Sequence, residues 1–430
     1  MSTTTALSPT PHTGGPVVGT VKVASRKTLV IFAVLTAGLA LILATSAEAG
    51  DTTFRLAADS DFFQLPQLTV PSLPTAWVLA AVCAVLTAES LRRYLTKRST
   101  PGWVVVVFAV AWMAGFLTWA AAGGSVPVVG LLAGSLALAV PLVFGALGGV
   151  LGERAGVVNI AIDGQLLLGA FAAAIVASST GSPWAGLVAA MLAGALVALV
   201  LGVFAITYLV DQVIVGVVLN VLVIGLTSFL FSQVLAPNAA TLNSPPRFPR
   251  VPIPVLGEIP LVGPIFFRQT VVVYLLYIAV ALVTFALYRT RWGLRVRAVG
   301  EHPKAADTVG IKVNRTRYRT ILLAGAIAGM GGAFYTLVSV PQFNREMTGG
   351  AGYIALAAVI FGKWDPVRAT LAALLFGFAS NLQGVLAVLG SPVPSQFMLM
   401  LPYVITIFAV AGLVGRSRPP AADGVPYQKE

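Results

Sequence analysis

VPLVFGALGGVLGERAGVVNIAIDGQLLLGAFAAAIV, residues 140–176, decides how the rest of the chain is read. Around the junction of two long apolar runs, 126–150 and 160–179, stand Glu153, Arg154 and Asn159, with Asp163 and Gln165 just inside the second. A bilayer core about 30 Å thick needs about 20 apolar residues per helical crossing, and both runs satisfy that length. The polar insert is then a turn at the membrane surface, a catalytic constellation, or part of a path for a polar solute. Gly152 to Gly156 suits a turn, with Glu153 and Arg154 forming a surface ion pair or facing a cytoplasmic partner. Asn159 to Gln165 suits a polar, broken helix start, tolerated at membrane depth only where it faces protein or a cavity. The i, i+4 spacing of Asn159 and Asp163 puts both on one helix face.

The same pattern recurs along all 430 residues, which are 57% hydrophobic and 10% charged with a mean hydropathy of +0.91. Further apolar runs fall at 28–47, 76–92, 102–121, 184–208, 213–235, 270–288, 319–340, 351–363, 366–388 and 396–415. The expected fold is an all-α polytopic membrane protein with about 12 transmembrane segments, three of them in an N-terminal extension, 28–122. Segment 351–363 is too short to cross alone and pairs with 366–388 as a re-entrant or broken element around GKWDP. The stretch 236–269 holds eight prolines and is expected as an external loop, since proline loses a donor and clashes within a helix. Residues 1–27, rich in Ser, Thr, Pro and Gly, are expected to be a disordered cytoplasmic tail, and 416–430 a second tail. Ala47 and Ala49 offer an alternative cleavage pattern for a signal peptide, though run 28–47 exceeds an ordinary signal core.

The net charge of +12 raises nucleic acid as a partner, but its placement argues for membrane topology. Arg289, Arg291, Arg295, Arg297, Lys304, Lys312, Arg315, Arg317 and Arg319 crowd 289–318 and its edge; Arg92, Arg93, Lys97 and Arg98 form a second group. An even number of crossings from an internal N-terminus places both groups, and Arg416 and Arg418, on the cytoplasmic side, as the positive-inside rule requires. Segment 48–61, with Glu48, Asp51, Asp59 and Asp61, then lies outside.

Enzyme signatures are absent from the sequence. There is no G-x-x-x-x-G-K-[ST] phosphate loop, no H-E-x-x-H or G-x-S-x-G, and neither His12 nor His302 has metal-ligand spacing. The lone Cys83 excludes an internal disulfide. A carrier driven by an ion gradient normally keeps ionisable groups within its spans; here only Asp163 falls well inside one. The driving force is therefore expected from elsewhere. In loop 289–318, Pro303 suits the first turn of a short helix that continues through Lys304, Ala305, Ala306, Asp307 and Thr308 to a stop at Gly310. Such a helix can dock into a soluble partner, or the loop can be basic for topology alone.

RAVGEHPKAADTVGI, 297–311, resembles the R-A-x-G-x-N-P-x-A-A-x-x-x-G-I element of permease subunits in ATP-binding-cassette importers for sugars, nucleosides and branched-chain amino acids. ERAGVVNIAIDGQLLLGAF resembles the E-R-x-G-x-x-N-I-x-x-E-G-x-x-L-x-G-A-F element of the nucleoside-type branch. DQVIVGVVLNVLVIGLTSFLF and GYIALAAVIFGKWDPVRATLAALLFG are similar to later elements, so the resemblance covers about 126–415 and leaves 1–122 outside. Asp163 stands where the family pattern has glutamate, and His302 where asparagine is frequent. The resemblance implies a multi-pass inner-membrane subunit, without its own ATPase motif, that binds no cofactor itself. Its partners are an ATPase subunit carrying ATP and Mg, a second homologous permease, an extracytoplasmic substrate-binding lipoprotein and membrane lipids. Nucleic acid is not among them. Glu301, His302, Pro303, Lys304, Ala305, Ala306, Asp307 and Gly310 become the coupling element to the ATPase.

A nucleoside presents an aromatic face and hydroxyls, so its path is expected to combine rings and amides rather than full charges. The candidates are Asn159, Asp163, Gln165, Asn220, Phe334, Tyr335, Asn344 and Asn381, with Gln212 and Gln383 beside them. Interhelical hydrogen bonds for the amides, and packing for the rings, are the structural alternatives. Gly145–Gly149 and Gly325–Gly329 mark close helix contacts, either within the chain or with a second permease.

Overall fold

A computed structural model describes residues 26–45, 50–57, 63–389 and 418–429, with three further positions between 396 and 400. The expected N-terminal tail before Arg26 and most of the last expected span, 396–415, lie outside the described residues. Ten helices among those described are long and apolar enough to cross a membrane. Against the expectation of about 12 crossings, the described residues hold these ten long helices and one short apolar one, Ala351–Phe361.

The chain divides into two compact units, 1–47 with 76–116, and 48–75 with 117–430. In the first, α1 (Arg26–Thr45), most of α2 (Ser72–Leu95) and most of α3 (Gly102–Ala120) pack around Phe32, Cys83, Val104 and Phe108. Phe32 and Phe108 stack with ring centroids 3.8 Å apart, and Cys83 is a buried packing residue. In the second, β1 (Asp51–Arg55) pairs antiparallel with β2 (Leu68–Pro71) and parallel with β3 (Ser125–Pro127), aligning Thr52 with Val70 and Phe54 with Val126.

The larger bundle runs through α4 (Val128–Arg154), α5 (Ile162–Thr180), α6 (Pro183–Gly202, prolonged by a π turn to Thr207) and α7 (Gln212–Leu230). A short α8 (Ala239–Leu242) and the hairpin of β4 (Arg250–Pro252) with β5 (Arg268–Thr270) occupy the proline-rich loop, followed by α9 (Val271–Arg289). Local chemistry sets several of these boundaries. Pro183 sits in the first turn of α6, where its missing N–H costs nothing. Asp211 caps α7 by accepting from Val213 N at 2.9 Å and Ile214 N at 3.1 Å, satisfying amides that lack helical partners.

Segment 289–318 is more ordered than a loop. It forms α10 (Arg291–Glu301), α11 (Pro303–Thr308) and the start of α12 (Val313–Phe334). The buried Gly293, Val296, Val299 and Gly300 of α10 recur at helical spacing among arginines, and the charge density conceals that stripe in the sequence. Two helices remain: α13 (Ala351–Phe361) and α14 (Pro366–Val388). Eleven residues of α13 rise about 16 Å, too little to cross alone, and the chain turns at Gly362–Asp365 before entering α14.

Burial identifies the centre. Two thirds of the apolar windows of α5 and α12 are buried, against 28% for α9. α12 lies against α6, α4 and α5, and α14 lies along α4. A Cβ on Gly325 or Gly329 would collide with α6 backbone at Gly194 or Ala190, and one on Gly145 or Gly149 with Ala355 or Val359 of α13. Both glycine pairs therefore serve packing inside this chain, which resolves the alternative left open by the sequence.

Candidate functional site: a broken-helix junction and an exposed short helix

Between α4 and α5 the helix stops. Gly156 adopts φ 82, residues 157–159 have no regular secondary structure, and α5 begins only at Ile162. Asn159 therefore precedes the helix, and the expected shared helix face with Asp163 does not exist. Instead Asn159 pairs with Gln165. Each amide donates its Nδ2 or Nε2 to the other's carbonyl oxygen at 3.1 Å, and both residues are fully buried. This reciprocal pair ties the irregular segment before α5 to the first turn of that helix.

Asp163 makes the second tie. Its Oδ1 accepts from Gly352 N at 2.9 Å and its Oδ2 from Thr348 Oγ1 at 3.3 Å. It stands in the first turn of α5 and meets the first turn of α13, so one carboxylate complements the positive ends of two broken helices. That is how an acid is accommodated within apolar surroundings without a cationic partner. Gly352 has to be glycine, because a Cβ there would overlap the Asp163 backbone.

Asn220 of α7 completes the junction. Its Oδ1 accepts from Gly164 N at 2.8 Å, and its Nδ2 donates to Ile160 O at 2.9 Å and Tyr353 Oη at 3.1 Å. Gln212 Oε1 accepts from Val158 N at 2.7 Å. Phe334 is buried at the end of α12, and Tyr335 opens the following π turn within electrostatic reach of Asp163. The structure thus brings together Asn159, Asp163, Gln165, Asn220 and Tyr335. It leaves out Asn344, exposed in the turn after α12, and Asn381, whose Nδ2 donates to Leu131 O at 2.7 Å along α4. Gln383 is half-buried on α14. Thr348, Gly352 and Tyr353 are junction residues that the sequence reading missed: Thr348 stands in an ordinary-looking glycine-rich stretch, and Gly352 and Tyr353 fall in the apolar run 351–363.

Glu153 and Arg154 do not form a solvated ion pair. Glu153 is 3% exposed and accepts from Trp364 Nε1, while Arg154 Nε donates to Trp364 O at 2.9 Å. One tryptophan after α13 therefore clamps the end of α4. The i, i+1 spacing points the two side chains apart, and the interior claims the first.

The putting-out of α11 gives the second feature. Pro303 lies in its first turn, Gly310 follows with φ 85, and His302, Lys304, Ala305 and Thr308 are exposed. Ala306 is buried with Val299, Val313 and Tyr427. Glu301 ends α10 and Asp307 is half-buried. Behind this turn runs the C-terminal segment 418–429. Ala422 N donates to Gly300 O at 2.9 Å, Ala421 N to Glu301 Oε2 at 3.2 Å, and Arg317 Nη1 to Val425 O at 3.1 Å. Burial pushes the Asp423 carboxyl up to about 7, against the opposing pull of Arg317 and the Gly424 amide. Among the described residues no group of His, Cys, Asp and Glu is arranged to hold a metal.

The family described as "Branched-chain amino acid transport system / permease component" matches residues 131–410. A guanosine ABC transporter permease protein of Bacillus subtilis is 43% identical over 304 residues, covering 69% of this chain and 95% of the relative. A nucleoside ABC transporter permease protein of Lactococcus lactis is 38% identical over 312 residues, 70% of this chain and 96% of the relative. A relative from Haloferax volcanii described as "Putative glucose ABC transporter permease protein" is 38% identical over 258 residues, 59% of this chain and 77% of the relative. No solved structure matches. The junction, the clamp and α11 all lie within the matched residues, and the chain is a member of the branched-chain amino acid transport system permease family, a permease component of an ABC importer.

Proposed function

We propose that this permease carries nucleosides across the bacterial plasma membrane, with both termini cytoplasmic, and draws its energy from a separate ATPase subunit that binds ATP and Mg. The observation that carries the coupling is α11: a six-residue helix set off by Pro303 and Gly310, with one face exposed and the other anchored through Ala306. An ATPase cleft that grips the exposed face moves α10 and α12 with it, and α12 is, with α5, among the most deeply embedded helices of the bundle. The junction of α5, α7 and α13 is the element that switches, since its broken helix ends have a discrete set of hydrogen-bond partners to exchange. Asn159, Asp163, Gln165, Asn220 and Tyr335 border the solute path in this reading; Phe334 packs beside it, while Asn344 and Asn381 sit at a distance. A second permease subunit and an extracytoplasmic binding lipoprotein complete the importer.

The substrate class is supported by the guanosine and nucleoside permeases among the relatives. The Haloferax volcanii relative, matched over a shorter stretch, supports a second reading, the same machinery for a simple sugar. A radiolabelled uptake panel in a deletion strain separates them: competition by nucleosides and not by free hexoses or pentoses is expected, and the reverse order overturns the nucleoside assignment. Replacing Pro303–Ala306 with Gly-Ser is expected to abolish uptake while ATP hydrolysis by the assembled complex persists. Uptake at the wild-type rate in that variant rules out α11 as the coupling element.

A further inference from the structure

Just after α11, the start of α12 and the start of α10 enclose a cavity of about 310 Å³. Its walls include Arg295, Lys312, Arg315 and Arg319, with Thr316 and the backbone of Gly310 and Ile311, and no carboxylate. None of these four cations belongs to an ion pair among the described residues. Four like charges around one small space repel each other, so the site favours an anion.

Trp292 lines this cavity and also a second one, of about 340 Å³. The second is a wholly apolar groove between α9 and α12, walled by Leu275, Ala279, Leu282 and Ala286 of α9 and by Leu323 and Ile327 of α12. The α9 residues recur at helical spacing along one face. From Leu275 to Ala286 the groove runs about 16 Å, close to half of a hydrocarbon core of about 30 Å. A basic pocket at the mouth of an apolar groove one leaflet deep, joined by a tryptophan of the kind enriched at membrane interfaces, matches one ligand chemistry. The geometry points to an anionic phospholipid as the occupant, with its phosphate among Arg295, Lys312, Arg315 and Arg319 and an acyl chain between α9 and α12. A free phosphate has no use for the groove, and an uncharged lipid leaves the four cations uncompensated. Because α12 and α10 also carry α11, the bound lipid fixes the base of the coupling element.

The test is native mass spectrometry of the purified full-length protein with its co-purifying partners, titrated with phosphatidylglycerol and phosphatidylcholine of the same chain length. The wild-type protein is expected to prefer phosphatidylglycerol. Each cation near a membrane surface contributes about fivefold, so Arg315→Gln with Arg319→Gln is expected to weaken phosphatidylglycerol binding about 25-fold and leave phosphatidylcholine unchanged. Arg315→Lys with Arg319→Lys keeps the charge and is expected to retain most of the affinity, which separates electrostatics from misfolding. Leu282→Trp, which fills the groove, is expected to reduce binding of both lipids. The proposal is overturned if the glutamine pair keeps its phosphatidylglycerol affinity, or if the lysine pair loses as much as the glutamine pair. It is equally overturned if excess inorganic phosphate displaces the lipid, marking a free-anion site, or if Leu282→Trp instead releases a second permease, marking a subunit seam.

Discussion

Asp163 shows how a single side chain acquires meaning from what it touches. From the sequence it is an acid in an apolar run, with a path or an ion site as the natural readings. In the fold its two oxygens take the Gly352 amide and the Thr348 hydroxyl, so it braces two helix starts. Asp163→Ala leaves a buried backbone N–H without a partner, a loss of about 1–3 kcal/mol. It is expected to lower the thermal midpoint of the purified protein and to reduce uptake, whereas Asp163→Asn, which keeps an acceptor, is expected to retain most of both. If Asp163→Ala left both measurements at wild-type values, neither the brace nor the path would survive. Glu153 was legible as polar and close to a membrane end, but not as buried. That outcome depends on Trp364, 211 residues away, and no local pattern couples positions so distant.

Among the elements, the boundaries were the most readable. Pro183, Asp211, Pro303, Gly310 and Pro366 each impose a start or stop through the backbone itself, and all act within a few residues. α10 was hidden because its small apolar stripe is diluted by arginines. The contact between α6 and α12 was visible only as glycine spacing; which helix it faced was settled by the fold. Gly329→Val drives a branched side chain into the α6 backbone at Ala190 and Gly194. Overpacking costs about 1–3 kcal/mol or more, and backbone on one side leaves no room to relax. The yield of folded protein, judged by monodisperse elution in detergent, is expected to fall sharply, while Gly38→Ala, which meets open space, is expected to leave it intact. A normal yield for Gly329→Val would place the α6 contact elsewhere.

At the scale of the whole molecule, the C-terminal segment closes over the α10–α11 turn from far along the chain. Asp423 makes that contact dependent on pH. Its carboxyl titrates near 7 when docked and at the ordinary 3.8 when free, so the docked form holds its proton more tightly. The docked form is then favoured fully below pH 3.8, loses stability as pH rises toward 7, and changes no further above it. Glu153 and Arg317 face the same carboxyl and share in its environment. Hydrogen exchange of 418–429 is expected to speed up between pH 5 and about 7 relative to the intrinsic rate, and Asp423→Asn to flatten that dependence. Equal dependence in the variant would assign the effect to another group. The sequence by itself determined a chain of apolar helices, most of their ends and its membership of a permease family, because hydrophobic length, caps and turn residues act locally and cumulatively. The tertiary structure alone decided that Asp163 accepts from the backbone of α13 while Asn159 pairs with Gln165, that Glu153 is interior, and that the tail backs α11. Those outcomes rest on burying polar groups only where distant partners satisfy them, and such partners are brought together only when the chain is folded.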